Sequence, residues 1–460
     1  MNGSEHQGGS QTTDGARRLP FGLISACALV VANMIGAGVF TTSGFSLLDL
    51  TRPVVMVAWV IAGLIALCGA YSYGLLAARI GESGGEYLFL SRTIHPGVGF
   101  IAGWVSLLAG FTGAIAFAAV TFETYAFPES LRPTWYLSGM LPVAAILLFA
   151  ILHSWVLRMG VVAQNLVVLV KLILIAAFLL YAFAFLPVGG WRGLVSVEVE
   201  KPFSILAFAT SLVYISLSYS GFNAAVYISE EIRDSKRNVP RAMLLATLVV
   251  MALYLLFNFI FIYGPETSKI TGQPDIAAVA ADAIGGPIMQ AIVRTIICLA
   301  LLSSVSSMII AGPRVYAKMA EDGVFPRWFN FVDVGQERVP KASIWFQALL
   351  ASLVVVASTL QQLLSYLAFT LSISAALTVA CVYFPGRDSH KLRFSTLLLL
   401  PSIYICVTLC LAAMLVINEF KTSGSLLECR TLIGFVATIA SGLILYAISK
   451  LWGNAKTRAN

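Results

Sequence analysis

The stretch ALVVANMIGAGVFTTSGF, residues 28–45, decides the fold, because an otherwise apolar run carries a glycine-rich centre at membrane depth. Gly36 and Gly38 flank Ala37, and a glycine weakens a helix by about 1 kcal/mol relative to alanine. Glycine is also common in membrane helices as a packing residue. By itself the stretch therefore predicts a membrane span and favours packing as the reason for its glycines.

A second apolar stretch, SLVYISLSYSGFNAAVYISEE at residues 211–231, changes that weighting. At similar depth it carries a polar and flexible patch, formed by Ser216, Ser218, Tyr219, Ser220 and Gly221. The two stretches are spans 1 and 6, which correspond if the first ten spans form two five-helix repeats. The halves share no evident sequence identity, so the repeat is inferred from position. Interrupted helices at corresponding positions point to a transporter binding site, and we predict a break in both.

The composition of the whole chain indicates a polytopic membrane protein. Of its 460 residues, 59% are apolar and 11% are charged, whereas soluble chains carry about 25% charged residues. The mean hydropathy is +0.88. This balance excludes soluble enzymes, nucleic-acid binders and secreted disulfide scaffolds. Alternating segments of about ten residues do not occur, so we predict an all-α membrane protein.

Twelve runs are long and apolar enough for a bilayer-spanning helix, which needs about 20 residues. They lie at residues 21–48, 54–80, 97–126, 137–157, 160–187, 204–229, 241–264, 286–316, 342–359, 363–384, 395–417 and 431–452. Two loops look structured. Residues 81–98 predict a helix on the inner surface, and residues 265–285 predict an outer loop with a helical second half, which is either a lid or a plain surface helix.

The basic residues predict the orientation. With the N-terminus placed in the cytoplasm, 20 of the 29 lysines and arginines lie on the inner side and 7 on the outer side. This bias follows the positive-inside rule, so both termini are predicted to be cytoplasmic and the net charge of +7 is a topology signal. Lys171 and Arg294 fall inside predicted spans, and we expect Arg294 to snorkel from the outer end of span 8.

The domain organisation follows from these spans. We predict five segments: a disordered cytoplasmic tail at 1–18, a first five-helix repeat at 19–190, a second, inverted five-helix repeat at 200–385, two additional transmembrane helices at 393–452, and a cytoplasmic tail at 453–460.

Two adjacent helix breaks suit a zwitterionic ligand. An unwound stretch leaves amide N–H groups free at the start of the second half-helix and carbonyls free at the end of the first. The N-terminal end of a half-helix attracts an anion and the C-terminal end attracts a cation. We therefore expect a carboxylate on the amides of Gly36, Ala37 and Gly38, with an ammonium on nearby carbonyls. An α-amino acid has this pattern of charges.

Lys171 is placed deep in span 5, with ten residues of the span before it and about sixteen after it. An ionisable residue inside a membrane is a functional hypothesis by default. The alternative is a lysine that snorkels or has a purely structural partner. A functional ammonium at this position either carries a proton or permanently occupies the place of a metal cation.

Several motifs in order along residues 20–385 resemble the amino acid–polyamine–organocation superfamily of transporters. The first is NMIGAGVF at 33–40, and the second is SYSGFNAAVYISEEIRDSKRNVPRAM at 218–243. The third is SSVSSMIIAGPRVYAKMAEDGVFPRWF at 303–329, and GGEY at 84–87 and GW at 103–104 also fit. Within the superfamily the motifs are most similar to those of the L-type amino acid transporter branch.

The resemblance implies the LeuT-type fold, with a five-plus-five inverted repeat and two added helices, and an alternating-access carrier of amino acids. It implies substrate-binding residues around both breaks: Met34, Gly36, Ala37, Gly38, Leu217, Ser220, Gly221 and Asn223. Substrate ammonium is expected at carbonyls near Met34, Leu217 and Ser220. Asn223 matches the L-type branch and favours neutral substrates. Leu217 stands where the family usually has an aromatic gate.

The resemblance also implies a role for Lys171, which matches a fifth-span lysine of sodium-independent members. Its ammonium would stand where sodium sits in sodium-coupled relatives. Its expected neighbours are carbonyls of the first break and hydroxyls of a coupling group, Ser303, Ser304, Ser306 and Ser307. Helix packing is the alternative role for any one of these serines.

Further predictions concern cofactors and partners. The four histidines show no metal-ligand spacing and no CxxC pair exists, so no metal, no cofactor and no enzyme activity are predicted. The predicted partners are a small-molecule amino acid, the lipid bilayer and, for a symporter, protons, with no nucleic acid. In animals the L-type branch joins a glycoprotein through a cysteine between spans 3 and 4. The loop at 127–136 has no cysteine, so we expect no disulfide-linked heavy subunit.

The sequence therefore predicts a sodium-independent carrier of neutral L-amino acids, working by exchange or proton symport in a plasma or inner membrane. Two alternatives remain open: a cationic amino acid or polyamine carrier, and a sensor that binds amino acids without transporting them.

Overall fold

The computed structural model describes residues 22–128, 132–155, 170–184, 201–334, 337–384, 398–425 and 428–459. The predicted tail at 1–18 lies outside these ranges. In the first half the helices are α1 (Leu23–Met34), α2 (Gly38–Ser46), α3 (Arg52–Ile80), α4 (Gly85–Thr93), α5 (Pro96–Ala126), α6 (Met140–Trp155) and α7 (Val170–Ala184).

The second half contains α8 (Ile205–Ser218), a 3-10 segment (Ala224–Glu231), α9 (Ser235–Tyr263), α10 (Thr267–Ile270) and α11 (Ile276–Glu321). A short 3-10 turn (Arg327–Phe329) follows, and then two strands that pair antiparallel, β1 (Val332–Val334) and β2 (Glu337–Val339). The chain ends with α12 (Lys341–Ala357), α13 (Leu360–Ala380), a 3-10 turn (Cys381–Tyr383), α14 (Leu399–Ser423) and α15 (Arg430–Ala459).

The helices agree with the predicted membrane spans. Within the described ranges, seven helices are long and apolar enough to cross a bilayer, and α1 with α2 makes an eighth span bent by 42°. Four shorter apolar helices, α6, α7, α8 and α12, lie in the remaining predicted spans. The prediction of an all-α polytopic membrane protein is therefore confirmed.

Both predicted breaks are present. The chain leaves helical geometry at Ile35–Ala37, between α1 and α2, and again after Ser218, where a turn at 219–223 precedes the 3-10 segment. Gly38 permits the two breaks to meet, because a Cβ atom there would lie 2.5 Å from Ser218 Oγ and 2.9 Å from Ser218 Cα. The glycine is therefore needed for close approach.

Helices α1, α3 and α9 form the packed core beside the breaks. At its centre the rings of Trp59, Tyr219 and Tyr254 are mutually in contact, with centroids 5.1 to 5.8 Å apart. All three residues are buried. Aromatic rings packed in this way bury a large area and fix the backbone around them.

The loops add detail that the sequence leaves open. Residues 85–93 form the expected helix between spans 2 and 3, and the second half of 265–285 is helical as predicted, continuing into span 8 through a non-helical Gly286. The antiparallel pairing of β1 with β2 is one such detail. The backbone of α15 also stays helical through residues 453–459, which the sequence places in a tail.

Candidate functional site

Both breaks face one cavity of about 260 Å³ inside the helix bundle. Its lining contains all eight residues that the sequence places at the substrate site: Met34, Gly36, Ala37, Gly38, Leu217, Ser220, Gly221 and Asn223. The eight residues come from two segments about 180 positions apart, so the fold brings them together.

The first break presents the start of a half-helix to this cavity. Helix α2 begins at Gly38, directly after Gly36 and Ala37, and its first internal bond is donated by the Phe40 N–H to the Ala37 carbonyl at 3.1 Å. The N–H groups before Phe40 have no preceding helical turn to accept their hydrogen bonds. Together with the positive end of the helix dipole, they form a place for a carboxylate.

The second break lies directly against the first. Gly221 has a φ of +98°, which L-residues with side chains rarely adopt. A Cβ atom there would lie 3.1 Å from the Asn33 carbonyl oxygen and 3.4 Å from the Met34 nitrogen. The backbone of one break therefore packs on the backbone of the other.

Tyr254 of α9 joins the carbonyl ends of the two broken helices. Its hydroxyl lies 2.5 Å from the Met34 carbonyl oxygen and 2.9 Å from the Ser218 carbonyl oxygen. A single hydroxyl proton serves only one of these acceptors at a time. Both carbonyls accordingly keep capacity for a further donor, such as an ammonium. Sequence patterns contain no signal for this tyrosine, because it lies in an ordinary apolar span.

Lys171 of α7 reaches the end of α1. Its side chain is buried, with 4% of the residue exposed, and Nζ donates to the Ile35 carbonyl at 3.0 Å and to the Ala32 carbonyl at 3.3 Å. These are carbonyls at the negative end of the first half-helix. The ammonium thus lies where a bound cation would neutralise the same oxygens.

The four serines of the expected coupling group lie on α11 in different settings. Ser304 lines the cavity and donates to the Ala300 carbonyl at 3.1 Å. Ser307 donates to the carbonyl of Ser303 at 2.9 Å. Ser306 lies 2.9 Å from Nε2 of His153, a buried residue near the end of α6.

Glu86 is a site residue that the sequence reasoning missed. This residue of α4 is 8% exposed and lines the cavity. Its Oε1 atom accepts from Asn223 Nδ2 at 2.6 Å and from the Tyr73 hydroxyl at 3.1 Å, and its Oε2 atom accepts from the Tyr227 hydroxyl at 2.6 Å. The available signal is the GGEY motif at 84–87, which places this acidic residue after Gly84 and Gly85 and just before the apolar part of the segment.

The rest of the cavity wall is largely apolar. It is formed by side chains from α3, α5, α8, α11, α13 and α14, including Ile65, Phe111, Phe117, Val213, Met308, Leu367, Leu371 and Leu411. Among the described residues that line it, Glu86 is the one acidic or basic side chain. Such a wall accommodates an apolar side chain at little cost, whereas an unpaired charge there would lose its hydration.

The outer loop packs on α2 and pairs with Arg294. The Gly272 N–H donates to the Gly44 carbonyl at 2.8 Å, so the loop rests on the second half-helix. Arg294 pairs with the Asp275 carboxylate at 2.5 Å and donates to the Tyr125 carbonyl at 3.0 Å. Asp275 lies in the outer loop directly before α11. The snorkelling of Arg294 from the outer end of span 8 stays a prediction.

Comparisons with known proteins show what this chain is similar to over most of its length. The family model described as "Amino acid permease" matches residues 21–441. The b(0,+)-type amino acid transporter 1 of Mus musculus is 24% identical over 92% of this chain and 86% of its own length. The large neutral amino acids transporter small subunit 2 of Oryctolagus cuniculus is 26% identical over 82% of this chain and 73% of its own length.

A solved structure also resembles this fold. Mhp1, a nucleobase-cation-symport-1 family transporter, in a closed conformation with bromovinylhydantoin bound, superposes with a TM-score of 0.56. The match covers 95% of this chain and 93% of that chain at 16% identity. The predicted LeuT-type fold is therefore confirmed.

Proposed function

Because this chain belongs to the amino acid permease family, and so is an amino acid transporter rather than an enzyme, we propose that its substrates are neutral L-amino acids, carried without sodium by alternating access. Movement is by exchange or by proton symport. The substrate occupies the cavity between the two breaks.

The polar groups around the breaks support a zwitterionic substrate. Amides at Gly36, Ala37 and Gly38 suit the α-carboxylate, since they start a half-helix that opens on the cavity. Carbonyls at Met34 and Ser218, which share one tyrosine proton, suit the α-ammonium. The apolar wall then receives an uncharged side chain.

The observation that carries the sodium-independent mechanism is the position of Lys171. Its ammonium donates to two carbonyls at the end of α1, 3.0 and 3.3 Å away. A sodium ion would compete for the same oxygens and would face a charge of the same sign. Permanent occupation by the lysine removes both the site and the need for the ion.

The position of Glu86 favours the alternative substrates, a cationic amino acid or a polyamine, because it places a carboxylate on the cavity wall. Its two oxygens already accept three hydrogen bonds from protein donors. A carboxylate has about four acceptor positions, so Glu86 has little capacity left to bind a cationic group of the substrate. Neutral substrates therefore remain the better proposal.

The test is counterflow and uptake in proteoliposomes with the twenty standard amino acids and putrescine, with and without sodium and a pH gradient. We expect sodium-insensitive movement of neutral amino acids, and either counterflow alone or stimulation by an inward proton gradient. Sodium-dependent uptake would refute the role of Lys171. Preference for arginine, lysine or putrescine would establish the alternative, and absence of any movement would refute transport.

Two further proposals concern topology and partners. We propose that both termini are cytoplasmic, which protease protection in oriented vesicles tests. We also propose that no heavy subunit is attached through a disulfide, because the loop at 127–136 contains no cysteine. In membranes of the source cells, we expect the band to have the same mobility on gels with and without a reducing agent.

A further inference from the structure

We propose that Glu86 is a positioning residue that holds the Asn223 amide with its oxygen toward the cavity, where this oxygen accepts a hydrogen bond from the substrate ammonium. The inference rests on the proposed function and deepens it, because it assigns the recognition of the amino group to a pair of side chains in addition to backbone carbonyls. Glu86 itself does not need to touch the substrate.

The carboxylate of Glu86 is surrounded by hydrogen-bond donors. Asn223 Nδ2 and the Tyr227 hydroxyl each lie 2.6 Å from one of its oxygens, and the Tyr73 hydroxyl lies 3.1 Å away. Charge-assisted hydrogen bonds of this length are the strong class. Three donors, one each from α3, the second break and the 3-10 segment after it, converge on one side chain of α4.

The chemistry of the pair decides which way the amide faces. A carboxylate accepts hydrogen bonds and an amide offers both a donor and an acceptor, so the nitrogen of Asn223 must face Glu86. The two amide heteroatoms diverge from one carbon, so Oδ1 is turned away from the carboxylate. No described hydrogen bond uses Oδ1, and Asn223 lines the cavity.

An oriented acceptor is what an ammonium requires. An ammonium has three donors and no acceptor, so an amide that presented its nitrogen would repel it and lose a bond. A free asparagine could turn either face to the cavity, and half of its orientations would be unproductive. Glu86 removes this freedom before the substrate arrives, which lowers the cost of binding.

The support for Asn223 comes from outside the broken segment. Glu86 belongs to α4 and Tyr73 belongs to α3. The Tyr73 ring packs edge-on against the Phe222 ring, with centroids 5.4 Å apart. The carboxylate thus lies on a helix that does not contain the break, and one of its three donors, Tyr73, also comes from such a helix. This arrangement keeps the amide oriented although its own backbone, at 219–223, is not helical.

The experiment measures KM and the maximal rate of L-leucine counterflow with the full chain in proteoliposomes, or L-alanine where the wild type prefers it. Glu86→Gln should raise KM by about tenfold with a smaller change in maximal rate, the loss of one oriented hydrogen bond to a charged group. Glu82→Gln is the matched control, since Glu82 lies just before α4, is exposed and pairs with Arg92 at 3.0 Å. Its KM should stay at the wild-type value.

A second readout separates the loss of positioning from a general distortion of the cavity. The deaminated analogues 4-methylpentanoate and propanoate lack the ammonium, so their inhibition constants should change little in Glu86→Gln. The preference for the amino acid over its analogue should therefore fall by about tenfold. An equal loss for both compounds would overturn the proposal, because a distorted cavity would weaken both.

An exchange of the two side chains keeps the proposal testable even if Glu86→Gln does not fold. Asn223→Asp alone places two carboxylates side by side and should raise KM strongly. The double variant Glu86→Gln/Asn223→Asp lets the new amide donate to the new carboxylate, whose other oxygen faces the cavity. We expect KM to return to within about threefold of the wild type.

The outcomes for the two proposals are distinguishable. A wild-type protein that moves no amino acid would refute the proposed function. A wild-type protein that transports, with Glu86→Gln unchanged in KM or with a double variant no better than Asn223→Asp, would overturn the positioning role alone.

Discussion

The Lys171 ammonium lies 3.0 Å from the carbonyl oxygen of Ile35, the first residue after α1. Helix α7 thereby caps the broken end of α1 from outside the segment. Carbonyls at a helix C-terminus have no partner within the helix, so a buried end needs a donor or a cation. The relationship connects the helix that carries the lysine to the first break, where the substrate carboxylate is expected.

Replacing Lys171 should therefore impair transport and lower stability. In Lys171→Ala the two carbonyls at Ala32 and Ile35 lose their charged donor, and each unsatisfied buried group costs about 1–3 kcal/mol. We expect the initial rate of L-leucine counterflow to fall by about tenfold or more. Gel filtration of the purified protein reports whether it is folded.

Lys269→Ala, on the exposed outer loop, is the control for loss of a lysine and should transport normally. Full activity of Lys171→Ala would contradict the capping role and indicate a lysine without function in transport. Recovery of activity on adding sodium would instead support the idea that the ammonium occupies a cation position.

Gly221 is expected to be intolerant of any side chain. Its φ of +98° strains an L-residue by about 1–3 kcal/mol. A Cβ atom would also press on the Asn33 carbonyl oxygen at 3.1 Å. Gly221→Ala should therefore separate the two breaks, lower the melting temperature and abolish counterflow, as measured on the same purified sample.

Gly323→Ala separates the effect of backbone strain from the effect of the collision between the Cβ atom and its neighbours. Gly323 has a φ of +77°, but a Cβ atom added there would have no other atom within 4 Å, so the substitution brings the backbone strain without the collision. We expect it to lower stability and leave KM unchanged. Equal kinetic effects of both substitutions would mean that contact between the breaks is unimportant.

The breaks were predictable because their causes are local. Glycines at Gly36 and Gly38 weaken a helix wherever they occur, and a serine- and glycine-rich patch in span 6 does the same. The depth of Lys171 was equally visible, since counting residues in an apolar run is enough. The apolar length of each segment also predicted the spans.

The contacts between distant segments were not predictable in the same way. Glu86 meets Asn223, 137 residues away, only because α4 folds back beside the second break. Arg294 pairs with Asp275, which lies 19 residues earlier and directly before α11, and its position near a span end gave no sign of this partner. Tyr254 has no sequence signal, since its importance comes from the two carbonyls that it reaches.

The Tyr254 hydroxyl should contribute to holding the two breaks together. Tyr254→Phe removes the donor shared by the Met34 and Ser218 carbonyls and keeps the ring packed against Trp59 and Tyr219. A lost hydrogen bond costs about 1 kcal/mol. We expect a lower melting temperature and a changed KM for L-leucine. Tyr71→Phe, at a residue that does not line the cavity, should change neither, and an unaltered Tyr254→Phe would exclude the hydroxyl from the site.

The ion pair of Asp275 and Arg294 should fasten the outer loop over α2. The two side chains lie 2.5 Å apart and are 12% and 20% exposed, so solvent screens them only in part. Asp275→Asn leaves Arg294 with its bond to the Tyr125 carbonyl but without a counter-charge. A double-mutant cycle of Asp275→Asn and Arg294→Gln, read by thermal unfolding, should give a coupling of about 1 kcal/mol. Strict additivity of the two substitutions would show that the pair does not stabilise the loop, and a faster counterflow in Asp275→Asn would indicate that opening of this loop limits the rate.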